Sequence, residues 1–213
     1  MAHLAGIACY IKIGVPFKRP NDYIKKNMEQ KIKINCVIGI DPGKNGGIAI
    51  YIPGQLAKAV KMPKDVADLR DLLGYYAENY NPIVFLEKLS VRPDDVAVQG
   101  EKPNMGKIYR IQTMRANYEH WRAIIETTGG PYVLTHPMTW QTKLKLRIHG
   151  QKEEKADRKR RYRDAAEQLY PNVKIALWNA DALLLMHFGR WALVNEPKWI
   201  KANLPEREYQ KLF

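Results

Sequence analysis

Asn35-Cys36-Val37-Ile38-Gly39-Ile40-Asp41, followed by Pro42-Gly43, is the stretch that decides the fold. A short, almost unbroken apolar run reads as a strand covered on both faces, and such strands sit in sheets flanked by helices. The run ends on an acid directly before a Pro-Gly turn signal. Gly43–Gly47 (GKNGG) is a turn. Ile48–Ile52 and Lys58–Met62 read as two further strands joined through Pro53-Gly54. Their tight connections fold the first three strands into an antiparallel meander. Pro63 to Tyr80 carries helical spacing at Val66, Leu69, Leu72, Leu73 and Tyr76. Pro82–Glu87 (PIVFLE) is a fourth, buried strand. A helix over about Lys107 to Thr128 is stopped by Gly129-Gly130-Pro131, and Tyr132–Thr135 is a fifth strand. Strands that follow helices run parallel to the first. The expected architecture is α/β: a mixed five-stranded sheet, three antiparallel strands and two parallel, flanked by helices. A short helix or turn at His136–Leu146, a long charged helix at Lys152–Leu169 and a strong helix at Asn179–Val194 complete it.

The chain has 213 residues, 46% of them hydrophobic, which is enough to build a core and argues against global disorder. No apolar run is long enough to span a membrane; Ala182 to Val194 is interrupted by His187, Gly189 and Arg190. Cys9 and Cys36 make no disulfide framework and fit a reducing compartment. Residues 1–30 show no sustained periodicity and read as an N-terminal extension. Residues 31–194 read as one domain and 195–213 as a polar tail. With 35 Lys+Arg against 22 Asp+Glu the net charge is +13, and the partner this favours is a polyanion.

Three carboxylates stand at chosen places. Asp41 closes the first strand, Glu87 closes the fourth, and Asp181 opens the last strong helix. If the two strands are parallel neighbours, Asp41 and Glu87 emerge at the carboxyl edge of the sheet, where ligands bind in such folds. Converging carboxylates repel one another unless a cation holds them, and Mg²⁺ or Mn²⁺ suits hard oxygen ligands with positions left for water and phosphate. Each acid also has a plainer reading. Asp41 is placed to cap a turn, Glu87 to be a strand-end surface charge, and Asp181, behind an Asn179 N-cap, to favour the helix dipole.

Val37-Ile38-Gly39-Ile40-Asp41-Pro42-Gly43 with Gly46-Gly47 resembles the first motif of the RuvC-like Holliday junction resolvases, in the RNase H-like superfamily. Phe85-Leu86-Glu87-Lys88 resembles their second motif, and Asn179-Ala180-Asp181-Ala182-Leu183-Leu184-Leu185 their last acidic motif. Pro137, Trp140 and Lys143 look like the family's segment after the fifth strand, and Lys159 through Ala166, Leu169 and Pro171 like its basic helix. The resemblance covers about 35–194. It implies an RNase H-like fold and a metal-dependent endodeoxyribonuclease that cuts branched DNA as a homodimer. Two ions, Mg²⁺ or Mn²⁺, would be held by Asp41, Glu87 and Asp181, with Asp41 bridging. Lys159 would be the catalytic cation, with Lys143, Lys152 and Lys155 as alternatives. Many members carry an acid or His three residues before the last Asp; this chain has Trp178 there.

The candidate phosphate track is Lys152, Lys155, Arg158, Arg160 and Arg161, with Lys143, and a second one is Lys107 and Arg110 together with Arg92, Lys102 and Arg115. Tyr109 and Tyr118 are placed to stack on opened bases or to pack in the core. The apolar side of the 107–128 helix serves either core or interface. An RNase H-like nuclease on another nucleic acid and a non-catalytic junction-binding protein are the competing readings. Bacterial, phage-infected or organellar settings suit the composition, a cytoplasmic one above all.

Overall fold

The computed structural model describes residues 34–43, 45–90, 104–128, 130–148 and 153–204. Five strands form one sheet: β1 (Cys36–Asp41), β2 (Gly47–Tyr51), β3 (Lys58–Lys61), β4 (Pro82–Glu87) and β5 (Tyr132–Thr135). Their spatial order is β3-β2-β1-β4-β5. β2 is antiparallel to β1 and β3, while β4 is parallel to β1 and β5 parallel to β4. This is the mixed five-stranded sheet expected from the chain order. The tight turns give the antiparallel pairs, and the helical crossovers give the parallel ones.

Among the described residues six helices flank it: α1 (Val66–Asn79), α2 (Met105–Thr127), α3 (Pro137–Lys143), α4 (Lys155–Leu169), α5 (Ala180–Asn195) and α6 (Pro197–Asn203). The period of two along each strand sorts the sheet into two cores. Cys36, Ile38, Ile40, Val84 and Leu86 face Leu69, Leu73 and Tyr76 of α1 and Tyr118, Trp121, Ile124 and Ile125 of α2. Val37, Ile83, Phe85 and Val133 face α5, behind which lie Trp140 of α3 and Tyr162, Ala165 and Ala166 of α4. α5 is buried on every side from Ala180 to Gly189, so its sequence is apolar all round instead of showing a stripe.

One position fixes how α5 lies. A Cβ on Gly39 would fall 2.5 Å from both the Ala182 carbonyl oxygen and the Met186 amide nitrogen. Only a residue without a side chain lets the helix backbone rest on β1 at that point.

Beyond shifts of a few residues at element ends, α2 and the C-terminal segment differ from the sequence reading. α2 begins at Met105, because the Asn104 side chain caps it, its Oδ1 accepting from the Lys107 amide at 3.0 Å. The apolar side of α2 serves the core from Tyr118 onward, whereas Met105 (73% exposed), Tyr109 (71%) and Met114 stay in solvent. The segment read as a polar tail contains α6, whose Ile200, with Leu204 after it, is buried in the α5 core. The initial charged residue of the 152–169 prediction, Lys152, lies outside the described residues; the helix runs from Lys155.

Candidate active site

The parallel register of β1 and β4 pairs Ile40 with Leu86. The next residue of each strand is Asp41 and Glu87, so the two acids end neighbouring strands at the carboxyl edge, on the α5 face of the sheet. β5 backs Glu87: it pairs with Thr135, and the Lys88 amide donates to the Thr135 carbonyl at 2.9 Å. The close seat of α5 on Gly39 then delivers the first turn of that helix, with Asp181, to the same edge.

Asp41 and Glu87 both respond to the charges around them. Burial and the Asp181 charge raise Asp41, against the Gly43 amide, which donates to Asp41 Oδ1 at 3.2 Å, and Lys159, which both lower it. Burial, then Asp41 and Asp181, push Glu87 up to about 8, although the Trp140 indole and Lys159 pull the other way. Trp140 Nε1 donates to Glu87 Oε1 at 3.3 Å. Lys159 Nζ donates to Asp181 Oδ2, and the two form an ion pair. Burial alone would lower the Lys159 ammonium; Asp181, with Asp41 and Glu87 behind it, outweighs burial and raises it. Asp181 Oδ1 is buried and has no hydrogen-bond partner.

Asp181 stands in the first turn of α5, as expected, and is there buried and paired with Lys159. Asn179 directly precedes that turn. It is 1% exposed and makes no capping bond to α5; its Oδ1 accepts from the Ala176 amide (2.7 Å) and its Nδ2 donates to the Lys174 carbonyl (3.0 Å). Asn179 stands at the expected N-cap position, and its side chain staples the turn that leads into Asp181.

A cleft of about 550 Å³ opens beside the acids, lined by Glu87, Asp181 and Lys159 and by Arg147, Arg158 and Arg161 among others. Asp41 is not part of its lining. As the side chains stand, no three His, Cys, Asp or Glu among the described residues are gathered closely enough to hold one metal ion. Two of the carboxylates are engaged by donors of this chain, Asp181 by Lys159 and Glu87 by Trp140. The donor set itself, three carboxylates with an orphaned buried oxygen on Asp181, has the chemistry of a hard divalent cation site. Ligation requires these side chains to turn toward one another.

The basic candidates separate into two groups. Arg161 is held inward: it donates to both Glu153 oxygens (Nε to Oε1 at 3.0 Å, Nη2 to Oε2 at 2.5 Å) and to the Leu146 carbonyl, and lies over the Tyr162 ring. Lys143 pairs with Glu196 at 2.5 Å beside the Trp191 ring. Both are engaged by acids of this chain. Arg160 makes an exposed pair with Asp157. Lys155 and Arg158 have no ion pair among the described residues, and Arg158 faces the cleft. Lys107 and Arg110 lie on the first turns of α2, where Arg110 Nε donates to the Gly106 carbonyl at 3.3 Å. Arg115 follows on the same helix and is exposed; Arg92 and Lys102 lie outside the described residues. Tyr118 is a core residue; Tyr109 is exposed.

Arg147, also on the cleft, and the Trp140 indole were not among the site residues expected from sequence. Arg147 carried no signal beyond its charge. Trp140 carried one: a buried indole N–H needs an acceptor. Trp178 covers the start of β2, where a Cβ on Gly47, the partner of Asp41 in the ladder, would lie 2.9 Å from its ring. Lys61 sits 6.0 Å from that ring.

No protein-family model and no curated protein matches the chain. Among solved structures it is similar to Thermus thermophilus RuvC in complex with a Holliday junction substrate, at 14% identity over 76% of this chain and 96% of that one, with a TM-score of 0.45. It is also similar to a second Thermus thermophilus RuvC structure, at 18% identity over 79% of this chain and 98% of that one, with a TM-score of 0.44.

Proposed function

We propose that the α/β domain, α6 included, is a divalent-metal-dependent endodeoxyribonuclease of the Holliday junction resolvase type, acting on branched DNA as a homodimer. The observation that carries this is the convergence of Asp41, Glu87 and Asp181, from two parallel strands and one helix, with the Lys159 ammonium on the last of them.

The chain's own residues divide the work. Asp41, Glu87 and Asp181 would hold two ions, Mg²⁺ or Mn²⁺. Such ions activate an attacking water and stabilise the leaving oxygen of a phosphodiester. Arg158 and Arg147 line the cleft and bind the DNA backbone without reading its sequence. Lys159 is fixed beside Asp181 and neutralises charge that grows on the phosphate oxygens as the transition state forms. Lys155, Arg160, Lys107 and Arg110 extend the basic surface on α4 and α2. A four-way junction has near two-fold symmetry, which a symmetric dimer with two such sites matches.

A second reading, a junction-binding protein without catalysis, draws on Trp178, which stands where many RuvC-like proteins carry another metal ligand. Nicking of a synthetic four-way junction in Mg²⁺ or Mn²⁺, compared with Asp41→Asn, decides between them. The proposal expects metal-dependent nicking that Asp41→Asn abolishes while junction binding persists. Tight binding with no cleavage by the wild type supports the second reading. A preference for RNA–DNA hybrids over junctions transfers the same chemistry to another substrate.

A further inference from the structure

We infer that Trp140 is a positioning residue for Glu87, its indole N–H holding one carboxylate oxygen so that the other is free to ligate a cation. The inference rests on the metal-dependent reading above and deepens it. Trp140 is completely buried, and an indole N–H only donates, so in the core it must find an acceptor. It finds one 53 residues away in the chain, Glu87 Oε1 at 3.3 Å. Among the described residues this is the only hydrogen bond made by the Glu87 side chain.

The donor is itself held on both sides. α3 starts immediately after β5, whose last residue Thr135 is the ladder partner of Glu87. His136 caps that helix, its Nδ1 accepting from the Met138 amide at 3.3 Å, and Pro137 occupies the first turn. Trp140 therefore sits one helical turn from the strand position opposite Glu87. Its ring meets Tyr162 of α4 edge-on, with centroids 5.4 Å apart, and α4 also carries Lys159. One aromatic contact thus links the helix that holds Glu87 in place to the helix that supplies the ammonium for Asp181. A partner of this kind orients a ligating carboxylate, and its loss costs about 10–100-fold in metal affinity or activity.

The test is calorimetric titration of Mn²⁺ into the full chain without DNA. Trp140→Phe keeps a buried ring and removes the N–H. It is expected to weaken Mn²⁺ binding about 10-fold or more, and to do so far less in a Glu87→Gln background, because the effect passes through that carboxylate. Equal losses in both backgrounds, or no loss in either, overturn the inference. If wild type binds Mn²⁺ and nicks junctions while Trp140→Phe binds equally well, only this inference fails. If wild type takes up no Mn²⁺, the metal-dependent reading fails with it. Should Trp140→Phe not fold, the ¹⁵N-labelled wild type carries the test. One of its five tryptophan indole N–H signals should shift both on Glu87→Gln and on addition of Mg²⁺. If none of the five moves with Glu87→Gln, Trp140 does not hold Glu87 in solution.

Discussion

Gly39 and Ala182 meet backbone to backbone, because a Cβ on the glycine would stand 2.5 Å from the alanine carbonyl oxygen. Two residues further along β1 is Asp41, and one residue before Ala182 is Asp181. The same contact that seats the helix therefore sets the distance between two of the three acids. Gly39→Val must push α5 off the sheet. Overpacking of this kind costs about 1–3 kcal/mol or more, and a misplacement near 1 Å costs a catalytic site about 10²-fold. Chemical denaturation and junction-nicking rates on the same preparation should both fall. Full nicking by a destabilised Gly39→Val would show that the seat matters for folding alone.

Glu87 gives the protein a stability that depends on pH. Its folded-state value, about 8, lies above that of an unfolded glutamate, so the folded chain retains a proton that the unfolded chain releases. Its contribution is greatest below the unfolded value and is lost as pH rises toward 8. His187 acts in the opposite sense. Burial lowers it to about 4, and the stability it adds is lost as pH falls from its unfolded value near 6.5 to 4, so it is silent above about 6.5. Between pH 6.5 and 8, without divalent cations, the wild type should therefore lose about 1–2 kcal/mol relative to Glu87→Gln. Urea titrations at several pH values measure this, and parallel curves for the two proteins would contradict it. Mg²⁺, which needs the ionised carboxylate, should flatten the wild-type slope.

Lys159 and a bound cation compete for Asp181. Lys159→Met removes the ammonium from Asp181 Oδ2, so Mn²⁺ should bind several-fold more tightly while nicking falls about 10²–10³-fold. Titration calorimetry and single-turnover cleavage report the two effects separately. A fall in both would mean that Lys159 helps to build the site and does not neutralise the transition state.

Arg158 and Arg161, three residues apart on α4, should fail in different ways. Arg158→Ala removes a cleft-facing charge with no ion pair among the described residues. It should weaken DNA binding across sequences and lower the salt slope by about one, with little change in melting temperature. Arg161→Ala leaves Glu153 and the Leu146 carbonyl without their donor. It should cost about 1–3 kcal/mol of stability. Fluorescence anisotropy at several salt concentrations, with thermal melts, separates the two.

The strands were legible because their apolar runs are short and bounded by Pro, Gly or acids. Pro82–Glu87 and Tyr132–Thr135 match the sequence reading at both ends. Asp41 and Glu87 were legible as strand-terminal acids, and parallel pairing then made them neighbours. What was not legible depends on contacts distant in the chain. Whether Arg161 points to solvent or to Glu153, whether Lys143 reaches Glu196, and whether the Asn179 side chain bonds α5 or staples Lys174 to Ala176 is decided by tertiary neighbours with no periodic trace. α6 escaped notice because a seven-residue helix with one fully buried isoleucine leaves almost no pattern.

Asp181 rides on α5, the last long helix, while Asp41 and Glu87 belong to strands made much earlier in synthesis. A nascent chain still short of that helix carries two of the three acids and a Lys159 whose carboxylate partner is not yet made. Any reaction that requires all three acids begins only after α5 has docked on the sheet.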